Sequence, residues 1–424
     1  MRTYRELFRQ PQFTPLFATA VVHSAAQTMG GLALATLVYR ATESPLLSAL
    51  SMFGTAFTQV IGATFLMSAA DRLPPRAAMS GIALVFALGA AVLALPGLPV
   101  WGVFVVLLGQ GVVGSVGGGV RYGLLTDVLP PDGFVLGRSV LNMANGTMQV
   151  CGFAVSGLLV VVLSPRATLV LCAALFALAA GVARFGLRRR APRVAGRPSV
   201  RETWRVNAVL WSSVPRRYVF LAGWVPNGLV VGCEALFVSY EPENAGLLFS
   251  AAAAGMLAGD TVLGRFVPPA LRERLAAPLR LLLAAPYLVF FLSPPLPVAM
   301  LAALCASVGF AASLLLQERL MALTPRELSG QAMGLQTAGM LTMQGVGAAL
   351  AGGVAQLLSP AAAMSVMAAA SVAVTLALAP GLRPLPKADG VKRETDDAKP
   401  ETDEIAAGYG SDVSDSSDAR VAGP

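Results

Sequence analysis

The stretch Thr147-Met148-Gln149-Val150-Cys151-Gly152-Phe153-Ala154-Val155-Ser156-Gly157-Leu158-Leu159-Val160-Val161-Val162-Leu163-Ser164-Pro165 has a partner 195 residues later. That partner reads Thr342-Met343-Gln344-Gly345-Val346-Gly347-Ala348-Ala349-Leu350-Ala351-Gly352-Gly353-Val354-Ala355-Gln356-Leu357-Leu358-Ser359-Pro360. The same shift holds without a gap over residues 130–188: Pro130 meets Pro325, Asp132 meets Glu327, and Gly186-Leu187-Arg188 meets Gly381-Leu382-Arg383. Scattered Ala and Leu matches follow from composition alone, but intact triplets in register do not. Upstream, Arg72-Leu73-Pro74-Pro75 is similar to Arg265-Phe266-Val267-Pro268-Pro269 at nearly the same shift. Each copy is an apolar run about 20 residues long, enough to cross a bilayer as a helix. A repeat in the same orientation places two halves about an axis along the membrane normal, with a site between them.

Composition agrees with this reading. The 424 residues are 55% hydrophobic and only 13% charged, with a mean hydropathy of +0.68. A soluble domain carries about 25% charged residues. Disorder, a fibrous repeat and a disulfide scaffold are excluded. Twelve apolar runs are visible, at about 13–38, 45–69, 76–95, 99–125, 134–163, 166–187, 217–240, 244–266, 277–293, 296–321, 329–358 and 361–380. The first is too long for a signal-peptide core of ~7–15 residues and reads as a retained helix. Pro and Gly clusters such as Leu95-Pro96-Gly97-Leu98-Pro99 and Pro130-Pro131-Asp132-Gly133 separate the runs. The expected fold is therefore an all-α integral membrane protein of twelve transmembrane helices in two parallel six-helix repeats.

Arginine placement predicts the orientation. With the N-terminus inside, 24 of the 26 arginines before residue 387 fall on the inner side, and only Arg40 and Arg166 fall outside. Positive charge accumulates on the cytoplasmic side, so both termini read as cytoplasmic. Four domains follow: a six-helix bundle at 1–187, a basic linker at 188–216, a second bundle at 217–384 and an acidic tail at 385–424. The linker contains Arg188-Arg189-Arg190, Arg193, Arg197, Arg201 and Arg205. Ser199-Val200-Arg201-Glu202 is a capping-box pattern that predicts a helix, read as interfacial on anionic lipid. The tail is rich in Asp, Glu, Ser and Gly and reads as disordered. A basic body at the membrane with an acidic tail does not describe a nucleic-acid binder.

Chemistry-bearing motifs are few. Cys151, Cys172, Cys233 and Cys305 lie in apolar runs without a CxxC pair, and His23 is the one histidine. These residues supply no metal-ligand set. No Walker A, HExxH or G-x-S-x-G pattern occurs, so neither an enzyme nor a nucleotide-driven pump is expected, and no cofactor or metal. Gly109-Gln110-Gly111-Val112-Val113-Gly114 matches a dinucleotide fingerprint only in letters, because it sits inside an apolar helix rather than between strand and helix. With Gly117, Gly118 and Gly119 it marks close packing or a flexible point of span 4. Polar groups at membrane depth are the informative ones. A charge at mid-helix costs about 2.5–3.5 kcal/mol on the insertion scale and signals function. Glu234 lies ~25 Å along span 7 from Arg217 and is the leading candidate proton carrier. Asp260 is a second candidate, ~7.5 Å from Arg265. His23 and Gln27 are one turn apart in span 1.

The segments Leu37-Val38-Tyr39 and Thr42-Glu43-Ser44-Pro45 after span 1, and Gln317-Glu318-Arg319 and Thr324-Pro325-Arg326-Glu327-Leu328 between spans 10 and 11, resemble the bacterial efflux-type branch of the major facilitator superfamily. The loop after span 2, Met67-Ser68-Ala69-Ala70-Asp71-Arg72-Leu73-Pro74-Pro75-Arg76, is similar to that family's G-x-x-x-D-R-x-G-R-R at Asp71, Arg72 and Arg76. The resemblance covers about residues 1–385. It implies that spans 1, 4, 7 and 10 line a central cavity. His23, Gln27, Gln110, Asn145, Asn227 and Gln336 become candidate substrate-binding residues. Glu234 and Asp260 become candidates for proton coupling, and Asp71, Arg72 and Arg76 for conformational gating. Gln149 and its repeat mate Gln344 read as a helix contact. The span-4 arginine of many family proton antiporters is absent from Leu107-Leu108-Gly109-Gln110-Gly111, which leaves the coupling role to few residues. The implied function is a secondary transporter exporting a small organic molecule, a drug or natural product, by proton antiport and alternating access. An importer of a small organic solute and a non-transporting receptor are the alternatives. The implied setting is a monomer in the bilayer of a bacterial inner membrane, with protons and a small molecule as partners.

Overall fold

The computed structural model describes residues 4–66, 73–190, 200–325 and 328–382. Regular structure among them is entirely helical. Eleven helices are long and apolar enough to cross a membrane, and a shorter apolar stretch, Pro45–Ala56, makes the twelfth. Spans 1 to 6 are Phe13–Thr42, Pro45–Leu66, Pro75–Leu93, Val100–Val128, Pro131–Val162 and Pro165–Gly186. Spans 7 to 12 are Val214–Tyr240, Ala245–Arg265, Arg274–Leu292, Leu296–Ala322, Ser329–Leu357 and Pro360–Leu382. The twelve-helix fold read from the sequence is the fold observed, with span ends displaced by at most about a turn.

The repeat explains itself in local chemistry. Ser164 caps span 6 by accepting from the Ala167 N–H at 3.1 Å, and Ser359 caps span 12 by accepting from Ala362 at 3.2 Å. The proline after each serine occupies the first helical position, where its missing N–H is harmless. The paired glycines of spans 5 and 11 also do the same work twice. A Cβ on Gly152 would lie 3.1 Å from Thr28 of span 1, and one on Gly347 would overlap the Gly228 carbonyl of span 7, so the first glycine seats each helix against its own half. A Cβ on Gly157 would lie 2.9 Å from Gly246 of span 8, and one on Gly352 would lie 2.6 Å from Leu46 of span 2. The second glycine thus brings each helix onto the opposite half. Span 2 runs along span 11, and span 5 along span 8.

The two ends of the bundle differ. At the end where the chain enters, the core divides by half. Leu7, Phe13, Leu16, Val120, Leu125 and Leu187 form one cluster, and Phe220, Leu316, Leu320 and Leu382 belong to another. At the far end one cluster crosses the halves: Leu32 and Ala35 of span 1 join Phe237, Phe249 and Tyr287. Phe153 stacks on Phe249 with centroids 4.8 Å apart, and Gln356 donates to Ser44 at 3.0 Å. Ala49, Ala235 and Ala348 bring spans 2, 7 and 11 together there.

The linker helix, Val200–Ser212, is anchored to the second half and keeps Trp204 and Val209 exposed. It packs on spans 7 and 11. Leu210 is buried, Trp211 stacks on Phe220 and Trp224, and Gln331 donates to Asn207 at 2.7 Å. Val206, Leu210 and Trp211 find protein partners in the second half, which the capping pattern alone could not reveal. The acidic tail lies outside the described residues.

Three spans of the second half are discontinuous. Span 7 carries Pro226 and breaks at Leu236, whose N–H bonds to Cys233 in a tighter turn. Span 9 passes from an α-helix, Pro269–Leu282, into a 3₁₀ segment, Ala285–Leu292; Pro278 and Pro286 each remove a backbone donor. Span 10 contains the 3₁₀ turn Gly309–Ala311. A Cβ on Gly309 would lie 2.4 Å from the Leu283 nitrogen, so only glycine admits that crossing of spans 9 and 10.

Candidate functional site

Two polar sites stand out, one in each half. The first is a cleft of ≈ 210 Å³ among spans 1 to 4. Its polar lining is His23 and Gln27 of span 1, Gln59 of span 2 and Arg121 of span 4, with Thr19 committed to the Pro15 carbonyl at 2.8 Å. Met79, Ile82 and Phe86 supply an apolar wall. Gly117 and Gly118 line span 4's side: a Cβ on Gly118 meets nothing within 4 Å, and one on Gly117 meets only Ile82 at 3.7 Å. The glycines therefore keep this face open. The His23 ring sits edge-on to Phe86 and Phe176, each centroid 5.0 Å away, which fixes its position. Arg121 is near enough to act on it electrostatically. A guanidinium, an imidazole and two amides in one apolar-walled cleft suit a small molecule with an acidic or strongly accepting group, which Arg binds through paired donors.

His23 and Gln27 are thus brought together, as their one-turn spacing requires. Arg121 was not among the expected site residues, because an arginine near the end of span 4 reads as part of the inner charge belt. Span 4 runs to Val128, which leaves Arg121 ~10 Å inside the helix end. That depth was the available signal.

The second site surrounds Glu234. Its side chain is 5% exposed, in the core of the second half, and it interacts with the hydroxyls of Ser307 and Tyr287. Glu234 Oε1, Tyr287 Oη and Ser307 Oγ are all buried without a hydrogen bond of normal geometry. Among the described residues no arginine or lysine forms an ion pair with Glu234. Its three members sit beside the three discontinuities described above, at the break of span 7, the 3₁₀ segment of span 9 and the 3₁₀ turn of span 10. This corrects the expectation that Glu234 opens onto a cavity between the halves: it points into its own half, toward spans 9 and 10. Contact with the other half passes through its neighbour, Ala235, which meets Ala49.

The sequence profile of the Major Facilitator Superfamily matches residues 16–317. The chain belongs to the Major Facilitator Superfamily. No curated protein sequence matches it. Solved structures similar to this superfamily member include a POT family transporter in complex with a thioalcohol-conjugated peptide, with 13% identity, a TM-score of 0.68, and coverage of 88% of this chain and 96% of that one. Another is a POT family transporter in complex with 5-aminolevulinic acid, with 12% identity, a TM-score of 0.68, and coverage of 87% and 95%. A third is a bacterial homolog of the human lysosomal transporter Spinster, in an inward-facing and unoccupied conformation, with 15% identity, a TM-score of 0.62, and coverage of 88% and 95%. At these identities the likeness is one of fold. A multi-span membrane transporter of this superfamily is the result.

The remaining expected site residues of this superfamily member fall elsewhere. Gln110 is buried and donates to the Phe86 carbonyl at 3.3 Å, lying over Gly89, so it braces spans 3 and 4 rather than lining the cleft. Asn227 accepts from Gln344 at 3.1 Å, within the contact of spans 7 and 11. Gln336 is buried in the same contact, where its backbone carbonyl accepts from the Trp224 indole N–H at 2.9 Å and its side-chain amide covers Gly223. Asn145 is half-buried on span 5, one residue before the Gly146 contact with Leu257 of span 8. Asp260 is exposed on span 8, and nearby Arg272 pairs instead with Glu318 at 2.9 Å. Asp71 and Arg72 lie outside the described residues. Arg76 lines a groove between spans 3 and 6.

Proposed function

We propose that this protein is a proton-coupled secondary transporter that exports a small organic molecule, a drug or natural product, by alternating access from a bacterial inner membrane. The observation that carries the reading is the Glu234–Tyr287–Ser307 cluster at the convergence of three broken helices. A carboxylate amid apolar side chains and without a cation holds its charge at a cost, and taking up a proton removes that charge. Non-helical backbone at membrane depth is tolerated where a transporter needs it. Glu234 is one residue from Ala235, which touches the other half, so a change in its charge reaches the contact that closes the far end. Substrate binds in the cleft of His23, Gln27 and Arg121. The two halves, 1–187 and 217–384, rock against each other, and with both termini cytoplasmic the present arrangement is open inward. The protein acts as a monomer, with Asp260 and the Asp71–Arg76 loop in supporting roles.

The test is transport into everted vesicles with and without a pH gradient. Glu234→Gln abolishes gradient-driven accumulation and preserves substrate exchange, because the amide mimics the protonated acid; Asp260→Asn does less. Gradient-driven transport at the wild-type rate in Glu234→Gln overturns the coupling role. Accumulation only in right-side-out vesicles would make the protein an importer, and binding without transport in either would make it a receptor.

A further inference from the structure

Spans 3 and 6 lie side by side in the first half. At the end where span 3 begins and span 6 finishes they leave a groove of ≈ 710 Å³. Arg76 enters it from the first turn of span 3, Arg184 from the last turn of span 6, and Arg189 and Arg190 from just beyond. Among the described residues no acidic residue lines the groove. Arg76 stands close enough to Arg184 and Arg189 for the charges to repel, and its Nε is buried without a hydrogen bond. Arg190 is held at the edge by the Gln12 side-chain oxygen at 3.1 Å and by Asp127 at 3.7 Å. Among the described residues no side chain caps the start of span 3, and its N-terminal N–H groups add to the positive potential.

The rest of the groove is apolar and open to the side of the bundle. Leu84 is 51% exposed and Phe185 is 87% exposed. Gly81 and Gly181 hollow it, since a Cβ on either meets nothing within 4 Å. Cations crowded at one end of a hydrocarbon-lined groove call for a ligand with a phosphate at one end and an alkyl chain at the other. Basic pockets between transmembrane helices bind lipid head groups in this way.

We propose that this groove binds an anionic phospholipid, with its phosphate among Arg76, Arg184 and Arg189 and an acyl chain along Leu84 and Phe185. The inference requires only that the helices cross a bilayer, and it is independent of the transport reading. The test uses the purified full chain in neutral detergent, with short-chain phosphatidylglycerol, phosphatidylcholine of equal chain length and inorganic phosphate as separate probes. Native mass spectrometry counts retained lipid, and thermal unfolding reads stabilisation. Phosphatidylglycerol should be retained and raise the unfolding temperature. The double variant Arg184→Gln/Arg189→Gln should weaken it at least about tenfold, or ~1.4 kcal/mol, because it removes two charged donors to the phosphate. Gly81→Leu should weaken it by filling the groove without changing charge. Arg265→Gln/Arg274→Gln, an equal loss of charge in the other half, should not. Equal binding of phosphatidylcholine, equal stabilisation by inorganic phosphate alone, equal loss in the Arg265/Arg274 variant, or no phosphatidylglycerol retained by the wild type would each overturn it.

Discussion

The cleft of the first half and the polar cluster of the second occupy related bundles yet are built in opposite ways. Around His23, Gln27 and Arg121 the helices are continuous, and glycines of span 4 hold the space open. Around Glu234 the helices are broken, and side chains fill the space: Tyr287 and Ser307 are fully buried. The cationic site is an open cleft, whereas the acidic site is filled by its own side chains. The repeat therefore preserved packing, in the paired glycines and serine caps, while the polar groups diverged. Two half-bundles with one ancestral packing scheme can divide binding and coupling between them.

The sharpest way to break this contrast is Arg121→Gln. It should raise the substrate KM about 100-fold, equivalent to ~3 kcal/mol for a lost charge-assisted contact, and leave proton coupling per molecule transported unchanged. An unchanged KM in vesicle transport would remove Arg121 from the binding site. Next comes the crossing that joins the halves. Gly157→Val places side-chain atoms against the backbone of Gly246 and should destabilise the protein by about 2 kcal/mol through overpacking, read as a lower unfolding temperature. Gly109→Ala is its control: a Cβ there meets nothing within 4 Å, so stability should hold or rise by up to about 1 kcal/mol from helix propensity.

A smaller effect separates the two sites kinetically. Tyr287→Phe removes one hydroxyl from the cluster and should slow gradient-driven transport about tenfold, or ~1.4 kcal/mol, without changing KM. A shift in KM with an unchanged rate would move the cluster into the binding site. The smallest effect is expected from Gln110→Leu. It loses one bond to the Phe86 carbonyl and should cost about 1 kcal/mol of stability with no change in transport; a raised KM would return Gln110 to the cleft.

Much of the architecture was legible beforehand. Helix ends follow from Pro and Ser at span starts, as at Ser164-Pro165 and Ser359-Pro360, and span length follows from bilayer thickness. His23 and Gln27 were legible as a pair because residues four apart share a helix face. Glu234 was legible as an anomaly, a lone acid within an apolar run, but its surroundings were not. Tyr287 and Ser307 lie on spans 9 and 10, read from sequence as ordinary apolar runs, and nothing in linear order aims them at Glu234. Gln110 and Asn227 were expected to face substrate and instead bond to neighbouring helices, because a polar side chain in a bundle satisfies itself against whichever backbone or amide is nearest; Gln336, expected likewise, is packed over Gly223 of span 7. In the linker helix Trp211 stacks on Phe220 and Trp224 while Trp204 stays exposed, a division that the linear order does not show.

By itself the sequence determined that this chain crosses a membrane twelve times, that its halves are copies, and that a few polar residues interrupt the apolar spans. Those properties depend on composition, period and local turn chemistry, which act over a few residues. Only the tertiary structure decided which polar residues meet one another, that Arg121 joins His23 in an open cleft, that Glu234 is enclosed by its own half, and that Arg76, Arg184 and Arg189 converge on one groove. Those facts depend on the rotation of each helix about its own axis and on glycine-sized approaches such as Gly157 to Gly246. Both are set jointly by several helices packing at once, and no single segment encodes them.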